Sequence, residues 1–391
     1  MIDSGDKKFL QLSQNLNKWF ISHNYKGIDP YQIDEKYFKK IHIIPGIKIF
    51  RKILKPFHSL IPQKLFTNME QIYLPKALGL IIGGNSSLYQ FTNDTKLLNQ
   101  NYDIIKILKN IRCNGYNEFA WGLPFEWGVA PRYSANSPFA IIQAIIANNL
   151  IDFYKIVKNA EVLIIIKSIM EYFLNENGYK ILNDNNIAFY YSPQDNLAVN
   201  NIMAVVALAL FRYNELDENE EYIIFADKML NCLLQGQKDD GSWEYALKIG
   251  DRKVKTIDNR HSGFIIESLC QLSKYSDNQE IKPAYNKFKE YYLNNLFSEG
   301  LPKWSPTQIY PIDIHDVAQA IITLSEIGEF EKARQVIDFS FEKMFNGTDE
   351  FYFKYFEDEK VNKTVFFRWA QAWMYKAINH YLFKKYKFDP R

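Results

Sequence analysis

The chain has 391 residues, 47% of them apolar and 24% charged, a balance that excludes an intrinsically disordered protein. Glycine and proline number only 17 and 14, and this scarcity of turn residues favours long helices over many short strands. The formal net charge of +2 argues against the strongly basic surface with which proteins bind nucleic acids.

The cysteines, the start of the chain and the apolar runs bear on where the protein works. Its three cysteines form no closely spaced pair, which favours reduced, packed thiols over disulfides or a zinc site. The first residues are polar and acidic, unlike a secretory signal. Apolar runs such as Ala77–Ile82 and Ile202–Phe211 reach about ten residues, half of what a membrane span needs. We therefore expect a cytoplasmic protein without a membrane span.

Apolar residues recur at helical spacing along most of the chain. Near its start, the spacing predicts helices at Asp6–Ser22, Ile47–Leu60 and Met69–Gln90. Farther along, most of the predicted helices come in pairs joined by short turns. These later helices are Asp94–Arg112, Pro138–Tyr154, Ala160–Glu176, Leu197–Tyr213, Asn219–Leu234, Arg260–Lys274, Asn278–Leu296, Asp313–Ile327, Phe330–Phe345 and Val365–Phe383.

Long loops separate one helical pair from the next. They begin near residues 113, 178, 237, 297 and 347, a repeat of roughly 50–65 residues. About six such hairpins predict an all-α fold, an (α/α) toroid with an inner and an outer ring of helices; an open solenoid is the alternative. We expect a single domain over residues 1–391, with a less regular portion over residues 1–68. If every long loop precedes an inner helix, the loops gather at one end of the ring, where function commonly lies.

The first long loop is rich in groups suited to sugars. It holds Trp121, Glu126, Trp127 and Arg132, so aromatic faces can cover sugar C–H surfaces while charged groups bind hydroxyls and carboxylates. The alternative is structural: the aromatic side chains plug the toroid, and Glu126 pairs with Arg132.

The next two loops supply further candidates. Tyr191 precedes a helix that carries Asn200, which we expect either to contact a ligand or to make a capping or interhelical hydrogen bond. Trp243 follows Gln237 in a pattern that resembles the repeat of squalene and terpene cyclases, in which such a pair ties one hairpin to the next. We also count Trp243 among the substrate-binding candidates.

Two histidines lie beside carboxylates at the starts of two consecutive predicted inner helices. His261 follows Asp258, and His315 lies between Asp313 and Asp316. Because a carboxylate orients and tunes an imidazole, both clusters are candidates for acid–base catalysis, with Asp316 as a substrate contact. The alternative for each cluster is an aspartate that caps the helix beside a packed histidine.

The last predicted helix begins near Arg368 and Trp369, which we expect to contact the substrate, with Arg368 as the partner of a carboxylate or phosphate. A surface arginine paired with a neighbouring loop is the alternative. The chain has no metal-binding His or Glu spacing and no glycine-rich phosphate loop. We therefore expect a site that works without a metal or cofactor.

Several short motifs together resemble one group of bacterial proteins. The motifs, in chain order, are Tyr25–Tyr31, Trp121–Trp127, Tyr191–Pro193 before Asn200, Asp240–Tyr245, Asp258–His261, Pro311–His315 and Arg368–Trp373. Over nearly its whole length, the chain resembles the proteins encoded among surface-polysaccharide biosynthesis genes and related to the exopolysaccharide-cluster protein VpsJ. The resemblance implies a toroid and a role in polysaccharide biosynthesis.

Two activities are disfavoured on chemical grounds. Aminolevulinate dehydratase activity, a label often given to that group, belongs to a TIM barrel, and this chain lacks the alternating strand and helix pattern. Terpene cyclases of the toroid type protonate an alkene with the middle aspartate of an Asp-x-Asp-Asp motif, and here His315 replaces that acid.

Proton transfer on a sugar or uronate is the favoured chemistry, of the kind carried out by C5-epimerases and lyases. Toroids with aromatic mouths resemble glycosidases, polysaccharide lyases and the helical domain of glucuronyl C5-epimerases. Here Arg132 or Arg368 would hold the substrate carboxylate. The proton would be moved by His261, His315 or Tyr191.

A hydrolase and a binding protein are the alternatives. A hydrolase needs two carboxylates about 5 to 10 Å apart, for which Glu126 with Asp258 or Asp313 are candidates. A glycan-binding or scaffold component of polysaccharide assembly would need the aromatic residues but not the histidines. In every case the expected partner is a sugar or glycan, anionic in the favoured case, with assembly proteins as further partners and no nucleic acid.

Overall fold

The computed structural model describes residues 3–32, 35–36, 66, 68–128, 132–247 and 256–388. Helices dominate these residues, and a π-helical turn at Phe367–Ala372 leads directly into the last of them. The α-helices are α1 (Ser4–Ser22), α2 (Pro75–Thr92), α3 (Lys96–Asn110), α4 (Ala140–Val157), α5 (Ala160–Asn175), α6 (Asn200–Asn214), α7 (Glu220–Gln235), α8 (Asn259–Leu272), α9 (Ile281–Asn295), α10 (Ile314–Glu326), α11 (Phe330–Lys343) and α12 (Trp373–Phe388). The predicted helix Ile47–Leu60 lies outside the described residues.

The even-numbered helices form a closed inner ring. Helix α2 packs against α4, α4 against α6, and so on through α8, α10 and α12, which packs back against α2. Burial explains this position: residues 200–213 of α6 and every residue of α10 are buried. A helix enclosed on all sides cannot be amphipathic, whereas α3 buries residues at intervals of three or four and lies outside. The predicted (α/α) toroid is confirmed.

The N-terminal helix completes the outer ring. Each of α3, α5, α7, α9 and α11 packs against the inner helix that precedes it, and α1 packs against α12. Asp6 of α1 is fully buried and accepts hydrogen bonds from Lys385 at 2.8 Å and Tyr386 at 2.7 Å. Arg334 of α11 donates a third, at 3.1 Å. The two ends of the chain are therefore joined by a buried, hydrogen-bonded ion cluster, which is costly to break from one side.

Two predicted helices begin differently from expectation. The helix predicted from Met69 begins at Pro75, since proline suits the first helical position and lacks the N–H that an earlier turn would use. The helix predicted from Val365 begins with the π-turn, which widens the backbone where Arg368 and Trp369 stand. The remaining predicted helices match the observed ones to within about three residues.

Short antiparallel strands shape the long loops that precede the inner helices. Their pairings are β1 (Trp127–Gly128) with β2 (Arg132–Tyr133), β3 (Tyr179–Asn183) with β4 (Asn186–Phe189), β5 (Phe297–Ser298) with β6 (Leu301–Pro302), and β7 (Ile312–Asp313) with β8 (Lys354–Tyr355), which also pairs with β9 (Val361–Asn362). The sequence analysis left these loops without strands. Strand β7 runs into α10, so the β7–β8 register, with Asp313 opposite Lys354, fixes the start of that helix.

Two tryptophans tie successive hairpins together. The indole N–H of Trp121 donates to the carbonyl of Leu108 at 2.8 Å, and that of Trp243 donates to the carbonyl of Leu233 at 2.8 Å. Both rings are buried, and both acceptors lie near the end of an outer helix. Gln237 extends the second tie, because its amide donates to Ala284 of the next outer helix at 3.0 Å. The tie inferred for the glutamine and tryptophan is thus present.

Among the described residues, one helix is long and apolar enough to cross a membrane by length and composition. It is α4, an inner helix whose residues are 67% buried within the toroid.

Replacing Trp121 or Trp243 by phenylalanine is expected to lower the free energy of unfolding by about 2 kcal/mol, because a buried hydrogen bond and packed volume are lost. Denaturation followed by circular dichroism measures this. Trp127→Phe is the matched control, since its indole nitrogen makes no hydrogen bond to a described residue. Equal losses in all three variants would contradict the tie.

Candidate active site

A cavity of about 90 Å³ opens at the end of the toroid where the inner helices begin. We call it the mouth cavity, and every inner helix contributes to it through its first turns or the residues just before them. Because helix N-termini carry a partial positive charge, six of them at one end favour a negatively charged ligand or transition state. The described residues that line it are Tyr31, Lys76, Leu123, Trp127, Phe139, Ile141, Ile142, Tyr191, Asn201, Ile202, Tyr245, Arg260, His261, Phe264, His315, Arg368 and Trp369.

His261 is oriented by Asp258. This aspartate caps α8 by accepting from the backbone N–H of His261, and its carboxylate also lies 2.7 Å from the imidazole Nδ1. Burial acts to raise the pKa of Asp258, but the contacts with His261 outweigh it and hold the pKa at about 2. An ionised carboxylate keeps a proton on Nδ1 of the neutral ring, so the lone pair is on Nε2. His261 is therefore set up as a base at the edge of the mouth cavity.

His315 has the complementary arrangement. Its Nδ1 lies 3.2 Å from a guanidinium nitrogen of Arg260, which can only donate, so the neutral ring carries its proton on Nε2. Burial, reinforced by the charge of Arg260, holds the pKa of His315 well below its usual value. Trp373 packs against the imidazole with ring centroids 4.6 Å apart. His315 therefore presents a neutral N–H donor for which the described residues supply no acceptor.

Two arginines bring positive charge to the mouth cavity. Arg368 forms a bidentate pair with Asp29, with one N–O distance of 2.9 Å, and both side chains are buried. Burial acts to lower the pKa of each arginine, but neighbouring aspartates raise it above the usual value, so both stay charged. The guanidinium of Arg260 lies 4.8 Å from the ring centre of Trp369. The aromatic ring and the aspartates hold these cations in fixed positions.

Aromatic rings form one wall of the mouth cavity. Trp127 stacks on Tyr31 with ring centroids 4.9 Å apart and on Tyr133 at 5.3 Å. Tyr191 lies against the same cluster, and burial raises its pKa well above 10. Its hydroxyl is therefore protonated at neutral pH and can serve as a hydrogen-bond donor rather than as a base. Flat aromatic faces beside polar groups suit the alternating C–H and O–H surfaces of a sugar.

Three acidic candidates lie behind the cavity lining. Asp313 caps α10 and accepts a hydrogen bond from the indole of Trp369 at 2.8 Å, so it positions that ring. Asp316 makes no hydrogen bond to a described residue, and burial raises its pKa well above 3.8 even though Arg260 lies 3.7 Å away. Glu126 forms an ion pair with Arg132, with an N–O distance of 2.7 Å. This pair is the structural alternative to sugar binding that the sequence analysis gave for both residues.

Trp121, Trp243 and Asn200 also lie outside the described cavity lining. The two tryptophans tie hairpins, and the amide of Asn200 donates to the backbone carbonyl of Glu244 at 2.7 Å. The neighbouring Asn201 lines the cavity instead. The candidates that the structure does bring together are Tyr191, Trp127, His261, His315, Arg368 and Trp369, with Asp258 behind His261.

Among the contributors to the mouth cavity that the sequence analysis missed are Asp29, Tyr31 and Lys76. Asp29 and Tyr31 belong to the motif Tyr25–Tyr31, which was part of the resemblance to the VpsJ-related group but was given no role in the site. Arg368, the partner of Asp29, lies more than 300 residues farther along the chain. Lys76 is the third, at the start of the predicted apolar run Ala77–Ile82. The signal that could have identified Lys76 is a single charged residue in the first turn of an otherwise apolar helix.

A second cavity, of about 390 Å³, occupies the opposite end of the toroid. We call it the far cavity; Glu267, Glu326 and His380 are among the residues that line it. Phe264 lines both cavities, and its ring packs against Trp373 with centroids 5.6 Å apart. These two rings separate the cavities.

Within the described ranges, no three His, Cys, Asp or Glu side chains are grouped so that they could hold a metal ion. No protein-family model matches the chain, and no curated protein matches it in sequence. The relation to VpsJ therefore stays a prediction.

Solved structures of sugar-active enzymes share the fold. Cellobiose 2-epimerase from Bacillus thermoamylovorans matches with a TM-score of 0.63 and 12% identity, over 80% of this chain and 88% of its own. D-mannose isomerase matches with a TM-score of 0.61 and 11% identity, over 80% and 87%. An α-mannanase of glycoside hydrolase family 76 from Bacteroides thetaiotaomicron matches with a TM-score of 0.60 and 13% identity, over 80% and 87%. At these identities the comparison establishes the (α/α) toroid.

Glu267 is expected to make stability fall as pH rises. Burial and the nearby Glu326 raise the pKa of Glu267 from 4.5 to about 7. Between these values the folded protein holds a proton that the unfolded chain has released, so the free energy of unfolding decreases with rising pH. Glu267→Gln keeps the hydrogen bond from Gln319, at 2.9 Å, and removes the titration.

Urea denaturation at pH 5 and pH 8 measures the effect. From the lower pH to the higher, wild type is expected to lose up to about 3 kcal/mol relative to Glu267→Gln. Glu290→Gln, which changes an exposed carboxylate on an outer helix, is the control and should follow wild type. Parallel curves for wild type and Glu267→Gln would contradict the assignment.

Proposed function

We propose that the protein is a carbohydrate-active enzyme that moves a proton on a sugar carbon next to a carbonyl or carboxyl group. The observation that carries the proposal is the pair of histidines in the mouth cavity, one set as a base and the other as a neutral donor. Epimerisation at C5 of a uronate, elimination by a lyase and epimerisation at C2 of an aldose all begin with removal of such a proton. The sequence analysis favoured this class.

Each of these cavity residues has a different role in the proposed reaction. Nε2 of His261 takes the C–H proton, and Asp258 stabilises the imidazolium that forms. The electron pair moves onto the adjacent carbonyl oxygen, which becomes an enolate. His315 donates its Nε2–H to that oxygen, and the charges of Arg260 and Arg368 stabilise it. Return of the proton to the opposite face of the carbon gives the epimer.

The charge of the mouth cavity supports an anionic substrate or an anionic intermediate. Two charged arginines and six helix N-termini surround a small space in which the described lining holds no Asp or Glu. A uronate carboxylate and a developing enolate both fit this field. An aldose would supply only the enolate, as an intermediate. The names of two similar structures, cellobiose 2-epimerase and D-mannose isomerase, support an aldose as the substrate.

Glycoside hydrolysis is the second candidate, because family 76 enzymes share the fold. A hydrolase needs two carboxyl groups that face the scissile bond. Of the predicted carboxylates, Glu126 is paired with Arg132, Asp313 caps a helix and Asp258 holds His261. This arrangement favours proton transfer over hydrolysis.

The setting in which the enzyme works is part of the proposal. A role in surface-polysaccharide biosynthesis, a cytoplasmic location and contact with assembly proteins rest on the motif resemblance and on the sequence composition. A non-catalytic glycan-binding protein would need the aromatic wall but would not need two histidines in complementary states.

Deuterium exchange tests the proposal directly. In heavy water, the protein is expected to introduce deuterium at C2 of cellobiose or mannose, or at C5 of glucuronate oligosaccharides, as followed by NMR. His261→Gln and His315→Gln should each slow this exchange by about 10²–10⁴-fold, the usual contribution of a general acid or base.

The control is His23→Gln. His23 stacks on Trp19 at the end of α1 and does not belong to the lining of the mouth cavity, so its loss should leave exchange unchanged. Exchange that persists in both cavity variants would refute the assignment. Sugar binding without any exchange in wild type would favour the hydrolase or the binding protein.

A further inference from the structure

Lys76 lines the mouth cavity and has no task in the acid–base scheme. Its side chain is 6% exposed, and its amine lies over the rings of Trp373, at 5.4 Å, and Phe264, at 5.7 Å. The described residues offer it neither a carboxylate within ion-pair distance nor a hydrogen-bond acceptor. A buried lysine is normally paired, so an unpaired one at a cavity wall calls for a functional explanation.

The position of Lys76 opposes its protonation. It is the second residue of α2, where the helix dipole favours acidic rather than basic side chains. The guanidinium groups of Arg260 and Arg368 line the same small cavity. Burial, together with these two charges, lowers the pKa of Lys76 well below 10.5. A desolvated lysine next to other cations is a nucleophilic amine at neutral pH.

We propose that Lys76 is a covalent site for the aldehyde carbon of an open-chain aldose. The inference rests on the proposed function, since it names the substrate class for the same removal of a C–H proton by His261. In this route the iminium nitrogen takes the place of the carbonyl oxygen as the acceptor of the electron pair. It favours a sugar with a free reducing end over an internal uronate, whose carboxylate does not condense with an amine.

The covalent step balances without any further reactant. Nζ of Lys76 adds to C1 of the aldehyde to give a carbinolamine, which takes up one proton from solvent and loses one water to become an iminium ion. His261 removes the proton from C2, and the C–H electron pair forms the C1–C2 double bond of an enamine as the iminium nitrogen becomes neutral. Reprotonation at C2 restores the iminium, and addition of water releases the aldose, the amine and the proton that was taken up when the iminium formed.

The same chain supplies internal controls. Lys354 is a buried lysine near the start of α10, but its amine lies 3.6 Å from the carboxylate of Asp313. Lys376 is also buried and has a lowered pKa, but it lines the far cavity, 3.9 Å from Asp152. Neither combines an unpaired amine with a place in the mouth cavity, so neither is expected to form the adduct.

Glycolaldehyde with sodium cyanoborohydride tests the site without knowledge of the natural sugar. Cyanoborohydride reduces an iminium ion to a stable secondary amine, and mass spectrometry of tryptic peptides then locates the adduct. At pH 7, Lys76 is expected to be modified before the other lysines, including Lys354 and Lys376. The Lys76→Arg variant keeps a long polar side chain but has no nucleophilic amine, so it should lack the adduct and lose deuterium exchange at C2.

The outcomes separate this inference from the proposed function. Modification of Lys76 no faster than of Lys354, Lys376 and the exposed lysines would overturn the covalent site. Deuterium exchange at the wild-type rate in Lys76→Arg would also overturn it, while leaving the histidine chemistry intact. Selective modification of Lys76 without exchange in any sugar would support the covalent site and refute the proposed function.

Discussion

Closure of the inner ring is the constraint on which the rest of the structure depends. Each inner helix has an inner neighbour on both sides and an outer helix behind it, so inward-facing side chains meet solvent only at the two ends. The last inner helix, α12, finds its outer partner in the first helix of the chain. Asp6 holds that junction through a lysine, a tyrosine and an arginine. The outer ring is therefore completed by a contact between residues more than 300 positions apart.

The direction of the inner helices determines the chemistry of each end. Six N-termini at the mouth favour ionised caps such as Asp258 and raise the cost of protonating an amine or imidazole there. The consequence is a small space in which one histidine, held by its capping aspartate, has a lone pair to accept a proton, while the other, facing Arg260, has a proton to give. At the same end, burial and the charges of Arg368 and Arg260 lower the pKa of Lys76.

Helical periodicity predicted nearly the whole fold, because burial on one face or on all faces leaves a regular mark on the sequence. It located the site less completely. His261, His315 and Arg368 could be predicted because they stand at the starts of inner helices, which topology brings together. The roles of loop residues suited to sugar binding, such as Trp121 and Glu126, were ambiguous. A hydrogen bond or an ion pair can equally fix such residues to the scaffold, as it does here. The pairing of Arg368 with Asp29 spans most of the chain, so no local pattern could reveal it.

Phe264 borders both the mouth cavity and the far cavity, and its ring contacts Trp373. Under the proposed function, with these rings between the cavities, a substrate would enter the mouth cavity from the mouth side. A long glycan would have to offer a terminus, and the reach of the site would be limited to the outermost sugar units. Product would leave by the route through which substrate came. Under the proposed function, each turnover would then require the previous molecule to withdraw fully, so action on a long glycan would be distributive and confined to chain ends.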